Sequence, residues 1–483
     1  MASEVRHLIE EQIDRTGMYS MLIDECKDNA GHEELSTCFR FVNDEGRIEE
    51  RYYDLVRLKE TDETIVNEGV LPTSKKLSLS ATLLALGADG ASVMSGCYEG
   101  VAAKLKRYYP WLIYVHCAAH RLNLIVAAYF RTVNEACSVI NVYKALHIIF
   151  NVAGNREIFE AVQKELYPKQ PIMAASSLTE VRWACKFEGV NTMVKRLKAI
   201  LVSLQKIGAS NSNQADSAAG LYHKILSGKF VISLCFLHQL LSIMHGLSKA
   251  MQETNVKWLN IANEMVAVKK LLVEIETNDI IESAKQLCAT VNITLDYKEP
   301  VHVSRQDSTE SACPREFCER LRAASVPMLL QELERRFSGE NTEVLAALEA
   351  LDASKSTYLD YATLSSLVAK FGDCLHIDST LLKTECERAK ILIAAGKNID
   401  PELYPNLSKV IAILKTLPVG TATVERSFSA MNRILSWARN SLDSSLASDF
   451  MLLSMNKDLL KRINLDKVLD RWVNQKSRIV QFK

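Results

Sequence analysis

Residues 417–430, LPVGTATVERSFSA, place one acidic residue, Glu425, at the start of a helix that follows a turn rich in Pro, Gly and Thr. Two other segments end an apolar run in an aspartate, namely MLIDECKDNA at Asp24 and LALGADGASVM at Asp89. The three carboxylates together form a set that can hold two hard divalent ions such as Mg²⁺ or Mn²⁺. The three carboxylates can act together only if the fold brings their distant segments close to one another. The fold class is therefore judged by whether it can do so.

The composition indicates a folded protein with more than one core. The chain has 483 residues and 48% hydrophobic content, which is enough for two or three structural regions. Lys+Arg and Asp+Glu both total 58, so the chain lacks the basic excess that drives sequence-independent DNA binding, and any DNA contact must come from local patches. Twelve scattered cysteines without a signal peptide predict an intracellular, reducing compartment.

The most apolar stretch is predicted to be a buried helix. Residues 231–247 carry His238, Gln239 and His245, and the stretch is shorter and more polar than a membrane span requires. We therefore expect no membrane partner.

The N-terminal pattern predicts a mixed α/β sheet. MYSMLIDE, STCFRFVNDEG and RIEERYYDLVRL are strand-like runs separated by turns, which predicts a three-stranded meander. An apolar run at 82–86, a helix through 100–108, a strand at 112–115 and a helix at 118–128 follow. This order places helices against a sheet.

The rest of the chain reads as helical. Residues 132–399 show long helical stretches, such as 192–207 and 257–287, with polar loops at 208–220 and 298–314. The expected organisation is a core segment at 1–131, an all-α insertion at 132–399 and a helical C-terminal region at 400–483.

The carboxylates also have ordinary interpretations. An aspartate at a strand end often forms a turn, and a glutamate in a first helical turn often complements the helix dipole. Asp24 follows an apolar run and is expected on a central strand, where a buried carboxylate needs a partner charge or a metal. Asp89 precedes Gly90, Ala91 and Ser92, small residues that allow a phosphate to approach. Composition and spacing leave both interpretations open.

The segments LIDECKDNA, GADGASVMSGCYEGVAAKLKRYYPWLIYVHCAAHRLNL, TEVRW and LPVGTATVERSFSAMNRILSWARNSLDSSLASDFMLLSMN together resemble transposases of the hAT superfamily. The likeness is to the animal branch related to zinc finger MYM-type and zinc-finger 862-like proteins, and it covers about residues 18–482. It implies a ribonuclease-H-like mixed sheet interrupted by a large all-α insertion. The C-terminal block would complete that core and form the hAT dimerisation region.

The resemblance also implies roles for individual residues. Asp24, Asp89 and Glu425 match the family's catalytic carboxylates, which hold Mg²⁺ or Mn²⁺ when the protein is active. Trp183, in TEVRW, matches a tryptophan that stacks on a flipped or hairpin-end base, and Arg182 beside it is a candidate phosphate contact. Stacking on tryptophan contributes ~1–3 kcal/mol per base, although without the family context a buried core tryptophan is the ordinary alternative.

The run His116–His120, HCAAH, matches the family's Cys-x-x-His element. As a zinc site it lacks a second Cys/His pair at matching spacing, and tetrahedral zinc needs four ligands. We interpret Cys117 and His120 as packing residues at a helix start and as candidate DNA-end contacts, and we favour this interpretation over metal ligation.

The C-terminal block is predicted to contribute to self-association. Its apolar face is larger than packing of one helix requires, and five residues on it are candidates for a symmetric interface: Trp437, Phe450, Leu452, Leu453 and Met455. The alternative is that all five lie in the core. Because the family oligomerises through this region, an interface that shares residues with the core is favoured.

Two hypotheses about function follow. The chain is a cut-and-paste transposase or a recent remnant that cleaves and transfers DNA strands, or it is a domesticated, catalytically silent dimeric scaffold or transcription regulator. The intact carboxylates favour the first. The neutral charge, the absence of a BED-type zinc finger from the given sequence, and Lys27 close to Asp24 favour the second. Both predict self-association and possible DNA contact, and the resemblance implies a nuclear location.

Overall fold

The computed structural model describes residues 1–58, 65–77, 80–91, 94, 96, 100–175, 184–210, 213–253, 257–295, 297–298, 311–337, 347–348, 350–353, 355–436 and 442–474. The chain forms two compact units. The first comprises residues 1–121, 251–262 and 338–483, and the second comprises residues 122–250 and 263–337.

The N-terminal part of the first unit alternates strands and helices. In chain order its elements are α1 (Ala2–Thr16), β1 (Met18–Lys27), β2 (Glu33–Val42), β3 (Ile48–Arg57), a π-helical segment (Ile65–Val70), α2 (Leu71–Leu77), β4 (Thr82–Ala88), α3 (Val101–Lys106) and β5 (Ile113–His116), followed by α4 (Ala118–Thr132). The predicted meander, the two later strands and the helices between them are therefore present.

The five strands form one mixed sheet in the order β3-β2-β1-β4-β5. β1 pairs antiparallel with β2 and parallel with β4, so that Asp24 lies opposite Ser36 and Leu22 opposite Gly87. β4 and β5 are also parallel. This arrangement confirms the predicted α/β class and places β1 at the centre of the sheet.

The centre of the sheet is buried, and β1 and β4 are mostly apolar. The first seven residues of β1 are buried, as expected for a strand that is covered on both faces. Helix α1 contributes Val5, Ile9 and Ile13 to the core, and these residues recur at the four-residue spacing of one helix face.

The C-terminal helices of the first unit are α13 (Tyr361–Leu375), α14 (Ser379–Ala394), α15 (Pro405–Thr416), α16 (Ala422–Ile434), α17 (Ser444–Met455), α18 (Lys457–Leu460) and α19 (Leu465–Asn474). Val424 and Met431 of α16 and Met451 of α17 belong to the same hydrophobic core as the sheet. The C-terminal block therefore completes the N-terminal core.

Polar contacts fix these helices on the strands. The hydroxyls of Ser36 and Ser427 are 2.7 Å apart, and the side-chain amide of Asn456 donates to the carbonyl of Tyr52 at 2.9 Å. Each contact joins residues about 400 positions apart in sequence.

The remaining elements are helical apart from one short ribbon: α5 (Asn134–Phe150), α6 (Ala153–Leu166), α7 (Ala184–Gly208), α8 (Ala215–Ile225), α9 (Gly228–Gln252), α10 (Trp258–Val273), α11 (Thr277–Val291), β6 (Tyr297–Lys298), β7 (Ser311–Ala312) and α12 (Pro314–Phe337). The predicted loop at 208–220 is partly wrong because α8 begins within it. The stretch predicted as one helical region at 257–287 is two helices. Most of the predicted loop at 298–314 lies outside the described residues.

The boundaries of the compact units differ from the predicted domain boundaries at residues 131 and 399. The second unit ends at residue 337, and residues 338–399 belong to the first. The reason is that α13 and α14 pack with α15, which itself contacts β1 and β2. The three predicted domains remain a prediction from the sequence pattern, which agrees with the resemblance.

Helix α9 contains the apolar stretch at 231–247. With 25 residues it is longer than the sequence pattern indicated, and its length and composition would allow it to cross a membrane. Among the described helices, α5 and α6 pass the same test only as a pair, and they are bent by 107° relative to each other. In α9, 67% of the apolar window is buried inside the protein, which is the arrangement of a core helix.

Candidate functional site

The carboxyl ends of three parallel strands meet at one edge of the sheet. Asp24 lies near the end of β1, Asp89 follows β4 directly, and Cys117 follows β5. The N–H of Cys117 donates to the carbonyl of Ala88 at 2.9 Å, which joins the ends of β4 and β5. Open α/β sheets bind ligands at this kind of edge.

The Pro/Gly turn before α16 packs on the same edge. The N–H of Ala118 donates to the carbonyl of Val419 at 3.0 Å, and the indole N–H of Trp258 donates to the carbonyl of Pro418 at 2.8 Å. Because the turn is held at both residues, the first turn of α16 brings Glu425 to the strand ends.

The close approach of this turn depends on a glycine in β4. A Cβ atom at Gly87 would lie 2.8 Å from Leu22 and 3.1 Å from the ring of Pro418. Both distances are shorter than the contacts that Cβ atoms normally make, so a side chain at residue 87 would displace Leu22 and the turn that carries Pro418.

Asp24 is 9% exposed, and the N–H of Glu25 donates to its Oδ1 at 2.9 Å. Burial raises the pKa of Asp24 to about 7; the positive charge on His120 opposes this rise, and the negative charges of Asp89 and Glu425 add to it. The sequence-predicted carboxylates are therefore close enough to act on one another.

This environment fits a divalent cation. Three mutually repelling carboxylates, one of them buried, are stabilised when a doubly charged ion lies among them. Asp89 also shows the ordinary turn-forming role, since its Oδ1 accepts from the N–H of Ala91 at 3.1 Å. The side chain of Glu425 is 25% exposed, so an ion has access.

The tightest group of possible ligands differs from the predicted one. Among the described residues, the group whose ligand atoms lie within 4.8 Å of one another comprises Cys117, His120 and Glu425, and it contains neither Asp24 nor Asp89. His120 Nδ1 is 3.9 Å from a carboxylate oxygen of Glu425. Sequence reasoning missed this group because Glu425 reaches the Cys-x-x-His element only through the fold.

The electrostatics of His120 reflect these neighbours. Burial lowers the pKa of His120, but the adjacent Cys117 side chain and the carboxylates of Asp24 and Glu425 raise it to about 9. An imidazolium at this position partly neutralises the carboxylates.

A buried ion pair supports α16, and the sequence analysis did not identify it. Arg40, 1% exposed, donates to Glu50 at 2.6 Å and to the carbonyl of Lys415 at 3.1 Å. The other oxygen of Glu50 accepts from the hydroxyl of Thr423 in the first turn of α16. The available signal was an arginine between two phenylalanines of β2.

Lys27 points away from Asp24 and pairs with a different carboxylate. Its ammonium lies 3.3 Å from Glu33, and its side chain is 70% exposed. The lysine therefore pairs away from Asp24, because residues 24 and 27 of a strand point to opposite faces.

Two groups of predicted residues can be located only in part. Arg182, Trp183 and Trp437 lie outside the described residues. His120 lies at the carboxylate site with a side chain that is 21% exposed. The assignments of these residues to DNA contact or dimerisation remain predictions.

The other dimerisation candidates occupy different environments. Phe450 is 47% exposed, whereas Leu452 is fully buried. Leu453 and Met455 are partly buried and pack against the core. Phe450 is therefore exposed enough to contact a partner directly, whereas Leu452 can affect an interface only through the packing of α17.

Comparisons with known proteins agree with the sequence motifs. Residues 1–100 match the family described as "ZMYM1/FAM200, RNase-like domain". Residues 400–458 match the "hAT family C-terminal dimerisation region". These matches confirm the resemblance to hAT transposase-derived proteins. The first covers β1 to β4 of the sheet, and the second covers helices α15 to α17.

Two curated relatives align along most of the chain. The "52 kDa repressor of the inhibitor of the protein kinase" of Mus musculus is 22% identical over 502 residues, which cover 94% of this chain and 64% of the relative. The Homo sapiens protein of the same name is 22% identical over 496 residues, covering 94% and 63%. The chain thus spans somewhat less than two thirds of the length of these relatives.

Proposed function

We propose that this transposase-derived protein binds divalent metal ions through Asp24, Asp89 and Glu425 and cleaves and transfers DNA strands as a dimer. The observation that carries the proposal is the convergence of three carboxylates, from β1, the end of β4 and the start of α16, at one sheet edge. Burial is the main cause of the raised pKa of Asp24, and the negative charges of Asp89 and Glu425 add to it, which supports their proximity.

Mg²⁺ or Mn²⁺ bound here would activate a water or a 3′-hydroxyl and stabilise the leaving oxygen of a phosphodiester. The protein's own contribution is to hold the carboxylates in position. The hydrogen bond from Glu25 fixes Asp24, and the ion pair of Arg40 and Glu50 fixes the helix that carries Glu425. His120 supplies a positive charge beside them.

A DNA nicking assay tests the catalytic part. The parent protein should convert supercoiled plasmid to nicked plasmid with Mn²⁺ and not with EDTA. The Asp89→Asn variant should lose this activity while its thermal unfolding profile stays unchanged. Equal nicking by the variant would refute the assignment.

Self-association is proposed through α17. Leu446 and Phe450 lie one turn apart on this helix and are 45% and 47% exposed, within the residues that match the dimerisation region. Exposed apolar side chains at four-residue spacing provide an interface anchor. Light scattering at micromolar concentration should give the mass of a dimer, and a strictly monomeric species would refute the proposal.

A non-catalytic regulator is the second candidate, and a specific observation favours it. The relatives that align over 94% of the chain carry the word "repressor" in their names. Under this proposal the dimer acts in the nucleus, as a scaffold or transcription regulator with possible DNA contact, and the carboxylates have lost their catalytic use. Absence of metal binding in the parent protein would support it over the first.

A further inference from the structure

A second type of metal site adjoins the carboxylates. Cys117, His120 and Glu425 each offer one ligand atom, and these atoms lie within 4.8 Å of one another. A sulfur, an imidazole nitrogen and a carboxylate oxygen are donors that Zn²⁺ prefers and Mg²⁺ does not. We propose that these three residues bind a thiophilic divalent cation, typified by Zn²⁺, with the fourth position open to water.

The backbone organises the three donors before any ion binds. Cys117 and His120 are three residues apart at the start of α4, so they share one side of the helix. The sulfur of Cys117 accepts from the N–H of Thr421 at 3.3 Å, and the carbonyl of Thr421 accepts from the N–H of Glu425 at 2.9 Å. The same turn therefore fixes both Cys117 and Glu425.

The distance between His120 and Glu425 requires only a small closure. Two ligands of a tetrahedral zinc ion lie about 3.4 Å apart, and His120 Nδ1 is 3.9 Å from the nearer oxygen of Glu425. That nitrogen is buried and makes no hydrogen bond among the described residues. Cys117 is 1% exposed, whereas His120 and Glu425 are 21% and 25% exposed, which leaves an entry path for the ion.

Glu425 belongs to both the thiophilic site and the carboxylate set. A cation that Cys117 and His120 hold with Glu425 draws this carboxylate away from Asp24 and Asp89. Thiophilic ions should therefore weaken Mn²⁺ binding. This consequence rests on the proposed function, whereas Zn²⁺ binding itself does not.

Cobalt substitution tests the site with a readout that is independent of catalysis. Co²⁺ bound to a thiolate gives a charge-transfer absorption band in the near ultraviolet. Titration of the parent chain should give this band at one equivalent, and Zn²⁺ should abolish it. Cys117→Ser should lose the band, and Cys313→Ser, which alters an exposed free thiol, should retain it.

The Cys117→Ser variant should fold like the parent, because the serine hydroxyl can still accept the hydrogen bond from the N–H of Thr421. Its urea unfolding midpoint should match that of the parent. A band that persists in Cys117→Ser, or that is absent from the parent, would overturn the proposal. Glu425→Gln keeps the thiol and should weaken Co²⁺ binding at least tenfold; unchanged affinity would overturn the assignment of Glu425.

A further variant separates this proposal from the proposed function. The Asp24→Ala/Asp89→Ala double variant should lose Mn²⁺ binding and retain the cobalt band. A parent that binds Co²⁺ through Cys117 but does not bind Mn²⁺ would refute the carboxylate site alone. Loss of the cobalt band in the double variant would refute a site made by Cys117, His120 and Glu425.

Discussion

Replacing Asp24 by asparagine removes a carboxyl group whose ionisation the folded protein opposes. The pKa of this group is about 7 in the folded state against an ordinary value of 3.8. Because the folded state binds the proton more tightly, the favourable contribution is complete below pH 3.8 and is lost as pH rises through 7. Without metal, Asp24→Asn should therefore stabilise the protein at neutral and alkaline pH.

The expected size follows from the two pKa values. Each pH unit between the two pKa values corresponds to about 1.4 kcal/mol in the free energy of unfolding. Ionisation of Asp24 therefore lowers the stability of the folded protein by roughly 1.5 kcal/mol at pH 5 and about 4 kcal/mol at pH 8. The gain from Asp24→Asn should thus grow by about 2.5 kcal/mol between these pH values. Urea denaturation of the parent and the variant, in EDTA at both pH values, measures this difference.

A matched control is Asp44→Asn, which alters an aspartate whose side chain is 67% exposed. Its effect should be small and independent of pH. Saturating Mn²⁺ should stabilise the parent at pH 8 and cancel the advantage of Asp24→Asn, because the ion binds the folded state only. A pH-independent gain, or a loss of stability at pH 8, would refute the reasoning.

Three further substitutions test the supports of the site and the interface. Phe450→Glu should place a charge in the proposed dimer contact and weaken dimerisation about 100-fold by sedimentation equilibrium. Arg40→Met leaves the buried Glu50 without its charge partner and should cost ~3–5 kcal/mol in urea denaturation. Gly87→Ala forces a methyl group against Pro418, which should cost ~1–3 kcal/mol and weaken Mn²⁺ binding in calorimetry.

Each substitution has a surface counterpart in the same chain. Val266→Glu alters an apolar residue that is 68% exposed and should leave the dimer intact. Arg47→Met alters a side chain that is 76% exposed and should change stability little. Gly220→Ala adds a methyl group with no atom within 4 Å and should stabilise α8 slightly. Equal effects in a variant and its control would contradict the assigned role.

The local pattern of the sequence was sufficient for most of the sheet. Strand-like runs bounded by turn residues located β1 to β5. In β1 and β4, which are mostly apolar, burial on both faces leaves a nearly continuous hydrophobic signal. Helix boundaries were less accurate. Residues 257–287 were interpreted as one helical stretch, but α10 ends at Val273 and α11 begins at Thr277. Thr277, Asn278 and Asp279 are residue types that favour helix starts, and this local signal was overlooked.

The site was predictable only where the chain has a local signal. Asp24 and Asp89 each follow an apolar strand, so their place at the sheet edge follows from the strand pattern. The contact of Glu425 with His120 joins residues about 300 positions apart, and no spacing rule reaches across that distance. The partners of Arg40 were hidden for the same reason.

Calorimetric titration of Mn²⁺ into the 483-residue chain at pH 8 tests the proposed carboxylate site, with the Asp24→Ala/Asp89→Ala double variant as the control. The parent should bind Mn²⁺ and the variant should not. Equal binding by both proteins, or none by the parent, would contradict a metal site made by Asp24, Asp89 and Glu425.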